Sequence, residues 1–257
     1  MAALPPTDTS SLLARLPGVA ALALELVGRT TLSPTMIEVV LQGSVADLDP
    51  APGNDLMLAV PVDGGDGSFR RRYSIRSLDP IEGTVRLWID CSAGGPGATW
   101  AATAREGSSI EAIGPRGKVT LDPLADWHLF VGDLSFVSAA YNMAEAIEPP
   151  GQALFIIEAT RREDVPTPTL PEGIGVTMVI VERDGRSLDD PSGLLAGVAA
   201  IELPDDLGHL YVGGELHVVA AVRSALVARG LDPAQISAKP YWRLGVSNLA
   251  HGEPDKS

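Results

Sequence analysis

From about residue 20 to about residue 120 the apolar positions come in short runs, alternating with polar ones and closed by turn residues. Ala21–Val27 and Met36–Gln42 read as strands joined by a polar turn at Leu32-Ser33-Pro34, and Leu56–Pro61 is a third. Gly64-Gly65-Asp66-Gly67 is a hairpin-type turn into a fourth strand, Arg70-Arg71-Arg72-Tyr73-Ser74-Ile75-Arg76, and Asp79-Pro80 turns the chain just after it. Glu82-Gly83 leads into Thr84–Asp90, where Val85, Leu87 and Ile89 alternate with Arg86, Trp88 and Asp90. Ser108–Ile113 is a sixth strand, ending at Gly114-Pro115-Arg116-Gly117. Six short strands at this spacing predict a small antiparallel barrel.

After about residue 125 the texture changes. Trp127–Val131, Ala153–Glu158, Val176–Val181 and Leu210–Val212 are continuous apolar runs, and helical stretches at Phe136–Ile147 and Val218–Arg229 follow two of them. Such alternation predicts parallel strands in a layered α/β domain. The segment 159–175, with Pro166, Pro168 and Pro171, reads as a loop. The chain closes on a strand-like Pro240-Tyr241-Trp242-Arg243-Leu244-Gly245 and a polar tail. Residues 1–17 read as a loose arm with one helical turn around Leu12–Leu16. The expected organisation is a barrel domain over 1–122 and an α/β domain over 123–257.

Two stretches carry candidate chemistry. In the fourth strand, alternation puts Arg71, Tyr73 and Ile75 on one face and Arg72, Ser74 and Arg76 on the other. Guanidinium groups bind phosphate oxygens, Tyr covers a ring face and Ser reaches a ring nitrogen, so a planar, phosphate-bearing ligand suits them. The same residues would also serve as a solubilised edge strand. The second stretch is Gly94-Gly95-Pro96-Gly97-Ala98-Thr99-Trp100, a bare turn into a short helix over Thr99–Arg105 that offers free N–H groups to an anion, or merely a capped loop. Together the two point to a flavin nucleotide. In the second half, Gly132-Asp133 and Gly213-Gly214-Glu215 sit where parallel sheets bind ligands, at the carboxyl ends of strands; the alternative is that these glycines only permit tight turns.

Composition narrows the partners. A net charge of −14 over 257 residues argues against nucleic acid and anionic membranes, and makes the arginines at 70–72 a local exception. The most apolar early run, Val19–Val27, is too short for a membrane span and contains Glu25. A single cysteine, Cys91, excludes an internal disulfide and fits a reducing compartment, so a cytoplasmic protein is expected. Cys91 reads as a small buried residue at a strand end rather than a reactive thiol. His128, His209, His217 and His251 lack metal-ligand spacing, so no metal site is expected.

At this point the chain resembles the siderophore-interacting protein family, a branch of the ferredoxin–NADP reductase-like flavoproteins, over nearly its whole length. The resemblance rests on Arg71-Arg72-Tyr73-Ser74-Ile75-Arg76 (family Arg-x-Tyr-Thr/Ser-x-Arg) and Gly95-Pro96-Gly97-Ala98-Thr99-Trp100-Ala101 (family Gly-Pro-Ala-Ser-x-Trp-Ala). Ile113-Gly114-Pro115-Arg116-Gly117, Val131-Gly132-Asp133, Gly214-Glu215 and Tyr241-Trp242-Arg243-Leu244-Gly245 also match. It implies a six-stranded FAD-binding barrel followed by a nicotinamide-nucleotide-binding α/β domain. It also implies a reductase that takes hydride from NADPH or NADH and releases iron from ferric siderophores.

Residue by residue, the resemblance implies that Tyr73 stacks on the isoalloxazine, Ser74 bonds near its reactive nitrogen and Arg71 pairs with the phosphates. Arg72 and Arg76 flank them in the motif. The backbone from Gly95 through Gly97, Ala98 and Thr99 to Trp100 would hold the pyrophosphate, and Asp90 matches an acidic strand end. Gly132, Asp133, Gly213, Gly214 and Glu215 would flank the nicotinamide nucleotide. Arg161 and Arg162 would meet a 2′-phosphate or form a solvated pair. Arg116, Lys118 and Arg243 are candidates for a basic patch that admits an anionic ferric siderophore. A monomer or weak dimer is expected.

The departures from the family pattern bear on function. The histidine usual after the acidic position is missing from Asp90-Cys91-Ser92-Ala93-Gly94, and Ala98 replaces a serine, leaving Thr99 to supply a hydroxyl. The family turn Gly-Asp-Glu-Thr-Ala-x-Pro-Ala is here Gly132-Asp133-Leu134-Ser135-Phe136-Val137-Ser138-Ala139, and Leu134 and Phe136 would narrow the nicotinamide site. Two alternatives therefore stand beside the leading reading: a flavin reductase with another acceptor, and an FAD-binding protein that has lost reduction by nicotinamide.

Overall fold

The computed structural model describes residues 18–62 and 67–246. The helical turn expected around Leu12–Leu16, most of the Gly64–Gly67 turn and the polar tail lie outside the described residues. The first half is a closed barrel of six strands: β1 (Ala20–Ser33), β2 (Met36–Gly43), β3 (Asp55–Pro61), β4 (Ser68–Asp79), β5 (Thr84–Asp90) and β6 (Ser109–Arg116). Its order is β1-β2-β5-β4-β3-β6, every pairing is antiparallel, and closure leaves no edge. The alternation read in the sequence fills the interior: Leu22, Leu24, Leu26, Leu56, Leu58, Val60, Val85, Leu87 and Ile89 form one buried cluster. Helix α1 (Pro96–Thr103) packs into it through Trp100 and Ala101.

The second half is a five-stranded parallel sheet in the order β11-β10-β7-β8-β9. Its strands are β7 (Trp127–Asp133), β8 (Gly151–Ala159), β9 (Ile174–Glu182), β10 (Gly208–Glu215) and β11 (Ile236–Trp242). Helix α2 (Leu134–Ala144) covers one face; α3 (Ser192–Ala200) and α4 (Leu216–Ala228) cover the other. All seven residues of β7 are buried, which is why that stretch shows no polar alternation. Strand order reverses between β7 and β10, so the switch point of the sheet lies between the carboxyl ends of these two strands. No helix among the described residues is long and apolar enough to cross a membrane.

Several boundaries moved. Helix α1 begins at Pro96, since proline is well placed in a first turn, and ends at Thr103. Helix α2 begins at Leu134 because the Asp133 side chain caps it, and it stops at Ala144, before the proline pair at 149–150. Helix α3 was not foreseen: Ser-Gly-Leu-Leu-Ala-Gly-Val-Ala-Ala has two glycines and no charged face to mark a helical period. Strand β11 starts four residues earlier than its aromatic stretch, at Ile236, where it begins to pair with Leu210.

The halves are joined by specific polar contacts. Asn142 on α2 accepts from the Gly53 N–H at 2.9 Å, and Ser138 donates to the Ser74 carbonyl at 3.1 Å. Both Glu145 oxygens grip the Arg76 guanidinium, one at 2.6 Å, while Trp88 lies 4.6 Å beneath it. Met36 and Trp88 of the barrel pack into the α2 core, so the interface has an apolar floor as well.

Candidate functional site

The fourth strand delivers Arg71 and Tyr73 to the start of α1. Register pairs Tyr73 with Leu56 and Arg71 with Leu58, which fixes both on the face that meets α1. There the Tyr73 hydroxyl lies against bare Gly97, where an added Cβ would come 1.7 Å from it, with the Arg71 chain 3.8 Å away. Gly95, the N-cap, has φ 95°, a value L side chains rarely adopt, and supplies no capping side chain. The opening N–H groups of α1 are left without a side-chain cap, while the nearby Arg71 chain donates through Nη1 to the Arg70 carbonyl at 2.9 Å. At the other end the Arg29 guanidinium caps α1, reaching the carbonyls of Ala102 at 2.5 Å, Ala104 at 3.2 Å and Ala101 at 3.3 Å. Burial pushes the Tyr73 hydroxyl up, so it stays a neutral donor. Thr99 is exposed on α1, whereas Ala98 is buried and Trp100 packs into the barrel core. An uncapped helix start with a glycine-bare backbone, an arginine and a tyrosine is a donor set that fits the diphosphate and ring of FAD.

Cys91 sits just beyond β5, half-buried, its thiol 3.6 Å from the Ile89 carbonyl. Burial, and then the neighbouring Asp90, push it up to about 11. Asp90 accepts from the Ser92 N–H at 2.9 Å and its hydroxyl at 3.0 Å, yet burial and the Asp133 carboxylate raise it to about 6.

The opposite face of β4 meets β11. Ser74 is 5% exposed, its hydroxyl 3.4 Å from that of Tyr241. Next to it Arg72 grips buried Asp55 with both prongs, at 2.9 and 2.7 Å, and Lys239 reaches the same carboxylate at 2.7 Å. Arg116 pairs in register with Asp55 across β6, and burial and then Arg72 lower its basicity. Three cations thus surround one carboxylate and leave a positive excess beside Ser74. Lys118 is exposed beyond β6, and Arg243 is exposed one residue past Trp242.

Asp133 and Glu215 hold the switch point from inside. Asp133 accepts from Ser135 N–H at 2.9 Å, its hydroxyl at 2.5 Å, the Glu215 N–H at 3.0 Å and Trp242 Nε1 at 3.0 Å. Burial still raises its carboxyl above the usual range. Glu215, wholly buried, caps α4 by accepting from His217 and Val218, and takes the Leu244 N–H at 3.3 Å. The starts of α2 and α4 are therefore closed by the chain's own carboxylates, unlike that of α1. The Phe136 ring lies on Gly213 and Gly132. Phe136, Asp133 and Glu215 thus occupy the space and the capping positions at the carboxyl ends of β7 and β10.

Further along the same sheet edge, buried Glu158 pairs with Arg183 at 3.0 Å and Arg186 at 3.2 Å. Arg161 lies exposed, 3.7 Å from Glu163, and Arg162 is exposed beside it. Sequence reasoning brought together Arg71, Tyr73 and Gly95–Trp100, and separately Gly132–Asp133 and Gly213–Glu215. It missed Asp55, Lys239 and Arg29. Asp55 had a signal, an acid opening the apolar run Leu56-Met57-Leu58; Lys239 and Arg29 had none, because their partners are distant in sequence. Among the described residues no group of three or more His, Cys, Asp and Glu could hold a metal ion.

Comparison with known proteins bears on both halves. A family model described as siderophore-interacting protein matches residues 125–245, and one described as siderophore-interacting FAD-binding domain matches residues 50–119. The ferric vibriobactin reductase ViuB of Vibrio cholerae is 31% identical over 191 residues, 71% of this chain and 68% of that protein. An uncharacterized protein of Mycobacterium tuberculosis is 28% identical over 257 residues, 87% of this chain and 90% of its own. The crystal structure of a siderophore utilization protein from T. fusca superposes with a TM-score of 0.80 and 26% identity, over 92% of this chain and 98% of that one.

Proposed function

The chain belongs to the siderophore-interacting protein family, and we propose that it is a flavin-dependent reductase whose oxidised substrate is a ferric siderophore. The observation that carries the reading is the convergence of Arg71, Tyr73 and Gly97 on a helix start with no cap of its own. In this reading the barrel half, up to about residue 122, holds FAD. Arg71 and the N–H groups after Gly95 take the pyrophosphate, Tyr73 covers the ring, and Ser74 offers a hydroxyl at its edge. Bound FAD would supply the electron transfer; the protein binds, orients and shields it. Reduction suits release because siderophores are hard oxygen donors matched to Fe(III), and Fe(II) matches them less well. The relatives' names, ViuB's above all, support that substrate class.

The chain's own residues set which complexes approach. Its net charge is −14, so an anionic ferric siderophore meets repulsion except near Arg72, Arg116 and Lys239. Replacing Arg116 by Gln is expected to raise the KM for an anionic ferric catecholate about tenfold, to leave kcat near its original value, and to matter less in high salt. Steady-state kinetics at two ionic strengths check this. An equal effect on a neutral hydroxamate complex would remove charge attraction as the cause. Arg243→Glu is expected to act in the same direction from the exposed end of β11.

The decisive experiment loads the protein with FAD, reduces it anaerobically with dithionite and mixes it with ferric catecholate and ferric hydroxamate complexes, trapping Fe(II) with ferrozine. Flavin reoxidation matched by Fe(II), faster than with free reduced FAD, supports the proposal. A protein that takes up no FAD, or whose reduced flavin ignores both complexes, overturns it.

A further inference from the structure

Gly132 and Gly213 stand opposite one another at the carboxyl ends of β7 and β10. Glycines at a switch point let a nucleotide come close to the backbone. Here the chain itself comes close: a Cβ on Gly213 would lie 2.4 Å from the Phe136 ring, and one on Gly132 would lie 2.9 Å from it. Phe136 is 1% exposed, and the Tyr241 ring meets it edge-on with centroids 5.9 Å apart. Tyr241 in turn touches Ser74, so the filled crevice reaches the edge of the flavin site. Asp133 and Glu215 close the flanking helix starts. Where the resembling family's turn carries alanine, this chain carries a phenyl ring. A phenyl ring is about the size of a pyridine ring, so Phe136 competes for the space over these two glycines that a nicotinamide would need.

Resting on the flavin reading above, we propose that Phe136 is a specificity-determining plug that keeps nicotinamide nucleotides out of the switch-point crevice. The chain therefore refuses NADPH and NADH at that seat, and its choice of electron donor is set by this side chain. Tyr241 braces it from β11, and Leu134 lies in the same buried cluster.

The test begins on flavin-free protein, so its outcome does not depend on FAD. NADP⁺ and NAD⁺ are titrated calorimetrically into wild type, Phe136→Ala, Phe136→Leu and a control, Phe155→Ala, which removes a buried ring from the same core but away from the glycines. Wild type and the control are expected to show only weak, unsaturated binding in the millimolar range. Phe136→Ala is expected to bind at least about tenfold more tightly, with Phe136→Leu in between. After FAD loading, anaerobic NADPH should bleach the flavin at least about tenfold faster in Phe136→Ala than in wild type. Circular dichroism establishes that each variant is folded, and Phe136→Leu carries the test if the alanine variant is not. Micromolar binding by wild type overturns the proposal. So does an unchanged affinity in a folded Phe136 variant, or an equal gain in Phe155→Ala.

Discussion

Replacing Gly97 by alanine is expected to lower FAD affinity at least about a hundredfold, which corresponds to roughly 2.7 kcal/mol. Two opposed effects meet at this position. Alanine is the better helix former, by up to about 1 kcal/mol, so on propensity alone α1 would gain. The added methyl, however, would stand 1.7 Å from the Tyr73 hydroxyl and 3.1 Å from its ring carbon. The ring must swing away, and it is the ring that would cover the flavin, so the steric effect wins. Gly95→Ala is the informative neighbour: nothing lies within 4 Å of its Cβ, but φ is 95°. It tests the backbone alone and is expected to cost about 1–2 kcal/mol in stability, with Tyr73 undisturbed. Fluorescence titration of FAD into the two variants, with thermal melts in parallel, separates ring displacement from backbone strain.

Asp55→Ala is expected to have the largest effect on folding. The Asp55 carboxylate is 3% exposed and holds Arg72 and Lys239, one from the barrel and one from β11. Its removal leaves two partly buried cations facing each other with Arg116 nearby, and breaking such a buried pair costs about 3–5 kcal/mol. For a chain of this size that is a fall of roughly 10 °C in Tm. The double variant Asp55→Ala, Lys239→Met should recover part of the loss, because it removes one stranded charge along with its partner. If the single variant melts like wild type, the cluster is a solvated surface group and the account of how the halves are tied fails. By the same geometry the Nε–Nη2 edge of Arg72 is committed to Asp55.

The barrel was legible because its strands have one wet and one dry face, as where Val85, Leu87 and Ile89 alternate with Arg86, Trp88 and Asp90. The proposed flavin cradle could be picked out because its parts are contiguous, Arg71 and Tyr73 two residues apart and Gly95–Trp100 in one run. What the sequence hid were the pairings across long separations. Lys239 meets Asp55 over 184 residues, and nothing local to either marks it. Helix α3 was hidden for a different reason: its small apolar residues suit both a helix and a loop. The sequence did mark the Phe136 turn as unusual, but only packing shows that its ring takes the space beside two glycines, which otherwise look like an invitation to a nucleotide.

The half-buried sulfur at the end of β5 gives the molecule a built-in clock. Thiol reagents attack the thiolate, and with Cys91 pushed up to about 11 near neutral pH the native state holds almost none of it. An unfolded chain, with an ordinary thiol near pKa 8.5, would react on the order of a few hundredfold faster. Because there is no second cysteine, maleimide capture reports on this one position at the end of β5. A ligand that stabilises the folded chain or covers the end of β5 should slow that capture, so its binding can be followed without any colour or turnover.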